Sequence, residues 1–234
     1  SQMTRDQGVM DLDFYKGIID EISGKTELVY LHGMGETLLV KNYDEYIRYA
    51  VENGLYTVLS SNVTVFNPSN VKKLIASGLD FLTLSVDATT EDTYRKVRGG
   101  KSLEHVIESC KAIAREKIAT GANLTIFVQC IVMEENKNEI WDIKRFFSAE
   151  ERRAISFRFK PVFESFASPG DAMRLRNPCY IIWNQMSILW NGKVSLCCMD
   201  FDNANELGNL NKNSVDEIWN DPLIKQYRQM HRSK

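Results

Sequence analysis

The sequence predicts an α/β fold built on parallel strands. Short runs rich in Leu, Val, Ile and Phe alternate, over about 150 residues, with segments whose apolar residues recur at three- and four-residue spacing. The chain has 234 residues, 44% of them hydrophobic and 26% charged, enough to bury the core of a layered fold. Alternation of this kind implies right-handed crossovers. A barrel, a partial barrel or an open doubly wound sheet would each satisfy it.

The first predicted element is a helix, Leu12–Ile22, ahead of any strand. In a parallel array a helix normally follows a strand, so the order points to a strand upstream of Ser1 and to a chain that is a fragment. Strands are then expected at Glu27–Leu31, Leu55–Ser60, Phe81–Val86, Leu124–Met133 and Ile155–Lys160, apolar enough for burial on both faces. Helices are expected at Tyr43–Glu52, Ser69–Ala76, Ser102–Lys117 and Lys137–Phe147. Val106, Ile107, Cys110 and Ile113 form one apolar stripe, and Gly54, Gly78 and Gly121 stand near helix ends.

After Pro161 the pattern changes. Residues 161–178 read as loop. Ile188–Trp190 and Val194–Cys197 flank Asn191-Gly192, a hairpin signal. Ser214–Met230 reads as one helix, with Ser214 as N-cap and Glu217 three residues on. The expected division is therefore a barrel-like domain over 1–176 and a small module over 177–234.

Composition excludes several functions. The 29 basic and 31 acidic residues give a net charge of −2, which offers no bulk attraction for nucleic acid or an anionic membrane. No apolar run approaches the roughly 18 residues of a membrane helix, and the polar stretch Ser1–Asp13 is no signal peptide. Five cysteines, spaced unlike a secreted disulfide framework, fit a cytoplasmic protein with free or metal-bound thiols.

Ligands of parallel sheets and barrels bind at the carboxyl ends of strands, and those ends are polar here. The first is followed by His32-Gly33-Met34-Gly35-Glu36, where Gly33 and Gly35 permit close backbone approach and Glu36 can receive an ammonium. The next ends bring Ser60-Ser61-Asn62, Ser85-Val86-Asp87 and Glu134-Glu135-Asn136. Each also reads as simple helix capping, but four in succession suit a ligand with sugar hydroxyls. Arg98 can clamp a carboxylate or stand as a surface cation. Cys179, Cys197 and the adjacent Cys198 suit zinc or an iron–sulfur cluster, although both take about four ligands. Cys110 and Cys130 read as core residues.

Taken together these motifs resemble the radical S-adenosylmethionine (radical SAM) superfamily with a C-terminal SPASM extension. Gly33 to Leu39 is similar to the family's Gly-Gly-Glu-Pro motif, with Thr37 for Pro. Ser61-Asn62-Val63-Thr64 resembles its Thr-Asn-Gly-Thr, with Val for Gly, and Leu84-Ser85-Val86-Asp87 its Ile-Ser-Ile-Asp. Arg98 stands where the family's Arg pairs with the cofactor carboxylate, and Val132, Met133 and Asn136 where a strand end passes the adenine. Cys179-x12-Gly192-x4-Cys197, Leu207-Gly208-Asn209-Leu210 and Ser214-x3-Ile218-Trp219 resemble SPASM text.

The resemblance implies a partial (β/α)6 barrel lacking its first strand here. Its cofactors would be S-adenosylmethionine, a catalytic [4Fe–4S] cluster and an auxiliary iron–sulfur cluster held by the module's cysteines. The chemistry would be an oxidoreductase's or maturase's: cleavage of S-adenosylmethionine to a 5′-deoxyadenosyl radical that takes hydrogen from a peptide, sugar or aminoglycoside. A reductase such as flavodoxin or ferredoxin would be the partner. The family's Cys-x3-Cys-x2-Cys and the last SPASM cysteines are absent from the chain, so the expectation is an inactive fragment of an active enzyme. The alternative is a cluster-free scaffold that holds S-adenosylmethionine or a peptide.

Overall fold

A computed structural model describes residues 3–100, 102–162 and 179–232. Its elements begin with α1 (Leu12–Ile22), β1 (Leu28–Tyr30), α2 (Tyr43–Glu52), β2 (Tyr56–Ser61), α3 (Pro68–Ala76) and β3 (Phe81–Ser85). There follow α4 (Glu91–Val97), α5 (Leu103–Thr120), β4 (Thr125–Val132), α6 (Glu151–Ala154) and β5 (Ser156–Pro161). The last are α7 (Ile181–Asn184), β6 (Ser187–Ile188), β7 (Lys193–Ser195), β8 (Glu206–Asn209), α8 (Val215–Trp219) and α9 (Pro222–Arg232).

The chain divides into two compact units, residues 23–163 and residues 1–22 joined with 164–234. In the first, a 5-stranded sheet has the order β1-β2-β3-β4-β5, and every pairing is parallel. A doubly wound sheet reverses its strand order at a switch point. Here each strand joins the same edge, so right-handed crossovers put the helices on one face, as in a barrel wall. Accordingly α2 touches α3, α3 touches α5 and α5 touches α6.

The strands are not buried on both faces as their apolar runs suggest. Leu59, Leu82, Leu84, Val128 and Cys130 are fully buried against the helices, while alternate residues such as Ser60, Ser85, Phe127 and Gln129 are only half-buried. The two-residue period of a strand divides a helix-packed face from an accessible one.

Two predicted helices differ in kind. Ile140–Phe146 is a 3-10 helix rather than an α-helix over Lys137–Phe147. Ile140, Ile143 and Phe146 recur every three residues, the spacing that aligns side chains in the tighter helix. The predicted helix Ser214–Met230 is two, α8 and α9, because Pro222 cannot supply the N–H that a continuous helix needs. The expected capping box is present: Ser214 Oγ accepts from Glu217 N at 3.1 Å and Glu217 Oε2 accepts from Ser214 N at 2.7 Å.

In the second unit β6, β7 and β8 form an antiparallel sheet around Ile182, Val194, Leu207, Ile218 and Ile224. Gly192 turns the hairpin at φ 82°. Gly208 lets β8 approach α8, since a Cβ there would lie 2.9 Å from Ile218. Helix α1 belongs to this unit. Glu21 Oε1 accepts from Val215 N at 2.7 Å at the start of α8, Asp202 Oδ1 accepts from Thr4 N at 2.6 Å, and Trp190 Nε1 donates to the Asp6 carbonyl at 3.2 Å. The boundary expected at residues 176 and 177 lies outside the described residues.

Three carboxylates tie the first unit together. Asp44 meets Lys73 at 2.7 Å. Glu151 meets Arg115 at 2.7 Å and accepts from Ser148 N at 2.8 Å. Glu139 accepts from Thr89 N at 2.8 Å and from the Thr90 hydroxyl at 2.9 Å. Burial opposes ionisation of each, but these hydrogen bonds and charges outweigh it and hold all three carboxyls below their ordinary range. A depressed carboxylate pKa stabilises the fold above the unfolded value and loses that contribution as pH falls through the folded value. The urea midpoint of the chain should therefore hold steady from neutral pH to about 5 and fall below about 4.5. A flat midpoint down to about pH 3 would show that these contacts contribute nothing.

Candidate functional site

The polar strand ends predicted from sequence line up at one end of the first unit. Register pairs Ser61 with Leu84 and Ser85 with Gln129, so the carboxyl ends of β2, β3 and β4 are staggered by only a few residues.

Two knots of hydrogen bonds organise this rim. In the first, Gly35 takes φ 124° and Glu36 caps a short 3-10 turn at Thr37–Leu39. Glu36 Oε1 accepts from Leu38 N at 3.3 Å and Oε2 from Asn62 N at 2.8 Å. One carboxylate thus joins the end of β1 to the end of β2. An ionised carboxylate has about four acceptor positions, so capacity remains for an ammonium. Thr37, which replaces the family's proline, donates its hydroxyl to the Leu31 carbonyl at 2.6 Å. Ser61 Oγ accepts from Val63 N at 3.0 Å and Asn62 Oδ1 from Thr64 N at 3.0 Å. These bonds hold Val63 at φ 67°, a left-handed conformation costly for a β-branched residue. It is the position at which the resembled motif has glycine.

The second knot centres on Asp87, itself at φ 64° and 4% exposed. Its Oδ1 accepts from Ile131 N at 2.6 Å, and its Oδ2 pairs with Arg98 Nη2 at 2.7 Å. Asn136, fully buried, donates Nδ2 to the Asp87 carbonyl at 2.8 Å and to the Ile131 carbonyl at 2.7 Å, while its Oδ1 accepts from Met133 N at 2.7 Å. Val132 ends β4 inside this network. Asp87, Arg98, Asn136 and the backbone beside Val132 are therefore mutually bonded. Arg98 retains guanidinium N–H groups beyond the one that meets Asp87. Ser85 lies just before the knot, half-buried on the accessible face of β3.

His32 sits at the same rim. Its Nδ1 lies 3.3 Å from the Val58 carbonyl, and burial, partly offset by that contact, lowers its pKa. Glu139 went unmarked in the sequence. Its carboxylate binds Thr89, Thr90 and Thr93 and so secures the loop that leaves Asp87. A lone Glu inside a polar run carries no pattern that would reveal this.

Cys110 and Cys130 are fully buried core residues, and burial pushes both thiols up, Cys130 to about 12. The other three cysteines gather in the second unit. Burial, then Cys197, then Cys179 raise the Cys198 thiol, and Met199 N approaches Cys197 Sγ at 3.4 Å. Three soft sulfur donors suit an iron–sulfur cluster by chemistry but fall short of the four it takes. Among the described residues no three His, Cys, Asp or Glu side chains converge with metal-holding geometry.

Residues 1–147 match the radical SAM superfamily and residues 179–234 an iron–sulfur cluster-binding domain, SPASM. An AdoMet-dependent heme synthase of Methanosarcina barkeri is 28% identical over 150 residues, 64% of this chain and 41% of the relative. A tungsten-containing aldehyde ferredoxin oxidoreductase cofactor-modifying protein of Pyrococcus furiosus is 25% identical over 147 residues, 60% of this chain and 40% of the relative. The chain thus spans about two fifths of the length of these curated relatives. The crystal structure of Streptococcus suis SuiB bound to the precursor peptide SuiA superposes with a TM-score of 0.70 at 14% identity, covering 96% of this chain and 61% of that one. The chain belongs to the radical SAM superfamily and carries a SPASM domain, the pairing whose cofactors are S-adenosylmethionine and [4Fe–4S] clusters.

Proposed function

We propose that the first unit is the S-adenosylmethionine-holding core of a radical SAM oxidoreductase that acts on a peptide or small molecule. The observation that carries this reading is the rim: a carboxylate after β1, held by backbone hydrogen bonds, a hydroxyl at the end of β3, and an arginine at the end of α4, held by an ion pair. Glu36, fixed by Asn62 N and Leu38 N, receives the methionine ammonium. Arg98, oriented by Asp87, offers its free N–H groups to the methionine carboxylate. Ser85 faces the ribose side, and the strand end at Val132, held by Asn136, passes the adenine. When bound, the cofactors supply a 5′-deoxyadenosyl radical that abstracts hydrogen from substrate. The chain's part is to orient S-adenosylmethionine and keep it in one pose.

Cys179, Cys197 and Cys198 would hold the auxiliary cluster, with a further ligand from elsewhere. The chain contains no Cys-x3-Cys-x2-Cys for a catalytic cluster. Electrons would come from a small reductase of the flavodoxin or ferredoxin kind. The heme made by one curated relative and the cofactor modified by another, as their names state, and the peptide bound by SuiB, support a substrate of peptide or small-molecule size.

Changing Glu36 to Gln removes the charge and keeps an acceptor oxygen for only one of the two backbone donors. Calorimetric titration of the folded variant with S-adenosylmethionine should show affinity reduced about tenfold or more. Equal affinity in the variant would sink the pocket assignment. Arg98→Ala is a poorer probe, because it strands the buried Asp87 carboxylate.

Changing Cys197 to Ala should lower the iron bound per chain after anaerobic reconstitution. Iron content equal to that of the unaltered chain would remove Cys197 from the ligand set.

A further inference from the structure

The sheet face turned away from the helices has a charge character that the cofactor does not explain. Register places Tyr56, Phe81 and Thr125 on this face, then Phe127 beside Ser156 and Gln129 beside Arg158. Phe157 and Phe159 point the other way, packed on the helix-side core. Arg158 therefore points into the barrel, and so does Lys160 two residues on, about 6–7 Å further along β5. The Arg158 guanidinium lies 4.1 Å from the Phe127 ring centroid and 5.7 Å from that of Phe81. Those two rings stack at 5.3 Å and 23°.

The whole chain carries a net charge of −2. Yet among the inward positions of β1 to β5 the only formal charges are these two cations, with no Asp or Glu opposite them. No ion pair joins either to an acid among the described residues. Both remain accessible: Arg158 is half-buried and Lys160 exposed.

We propose that this face receives the substrate by a carboxylate group, gripped by Arg158 with Lys160 beside it and with the Phe81–Phe127 pair as an apolar floor. The inference rests on the reading of the barrel as an S-adenosylmethionine enzyme and names its substrate class. A guanidinium lying against aromatic rings keeps its planar fork pre-organised, and that fork matches two carboxylate oxygens. A phosphate would need further donors. Phosphate sites usually find them in backbone N–H groups at helix starts or glycine nests. Here the backbone N–H groups lie in the plane of the sheet, not on its face.

The test uses the full chain with 15N-labelled arginine and two probes of one shape, 2-naphthoate and uncharged 2-naphthamide. Naphthoate should shift the Arg158 Nε–Hε signal and naphthamide should not. Arg158→Gln should weaken naphthoate binding about tenfold while leaving S-adenosylmethionine affinity unchanged. Lys160→Gln, at an exposed site, should weaken it as well. The proposal is overturned if naphthoate does not bind, if naphthamide binds equally, if phenyl phosphate binds in preference, or if neither variant changes the affinity. If naphthoate shows the expected selectivity while the chain fails to bind S-adenosylmethionine, the cofactor reading fails and the carboxylate site stands.

Discussion

The bonds of Asp87 are the constraint on which the rim depends. One side chain in a left-handed backbone conformation ties the end of β3 to the backbone of β4 and fixes Arg98. Asn136 repeats the tie from the backbone side. A buried carboxylate is tolerable only when it is paired and hydrogen-bonded, and Asp87 has both kinds of partner. The result is a rigid corner in which Arg98 and the strand end at Val132 are placed together. Positive backbone angles at both Val63 and Asp87 put local strain at consecutive strand ends, where surrounding bonds over-determine the conformation.

Much of this was legible in the sequence, because period and punctuation carry it. Helix α2 begins and ends where its apolar spacing and Asn53-Gly54 say it should. The five parallel strands follow from their apolar runs, and sequential order then excludes the doubly wound alternative. Other features were hidden for physical reasons. Strands read as buried on both faces are half-open, because apolar composition does not report which layer is missing. The segment expected as an α-helix over Lys137–Phe147 carries its apolar residues three apart at Ile140, Ile143 and Phe146, the spacing of the 3-10 helix it forms. Pro222 breaks the last helix although apolar spacing runs through it.

The candidate site was legible as a set of residues but not as a set of bonds. Glu36, Asn62, Asp87, Arg98 and Asn136 were all marked by motif. That Arg98 spends one N–H on Asp87, that Asn136 is wholly engaged with backbone, and that Glu36 already accepts two N–H groups are properties of the folded rim. They divide the motif residues into those that build the corner, Asp87 and Asn136, and those with donors or acceptors left for a ligand, Glu36 and Arg98. Arg158 was invisible for another reason. Its meaning lies in alternation across strands distant in sequence, which no local pattern shows.

The most direct test of the central claim is amide chemical-shift mapping of the 15N-labelled chain during titration with S-adenosylmethionine. The account predicts saturable shifts clustered at the carboxyl ends of the strands, at Gly33 to Glu36, Asn62, Ser85 to Asp87 and Val132. Shifts clustered instead at the opposite strand ends, around Thr57, Asp80 and Thr125, or no saturable shifts at all, would contradict it.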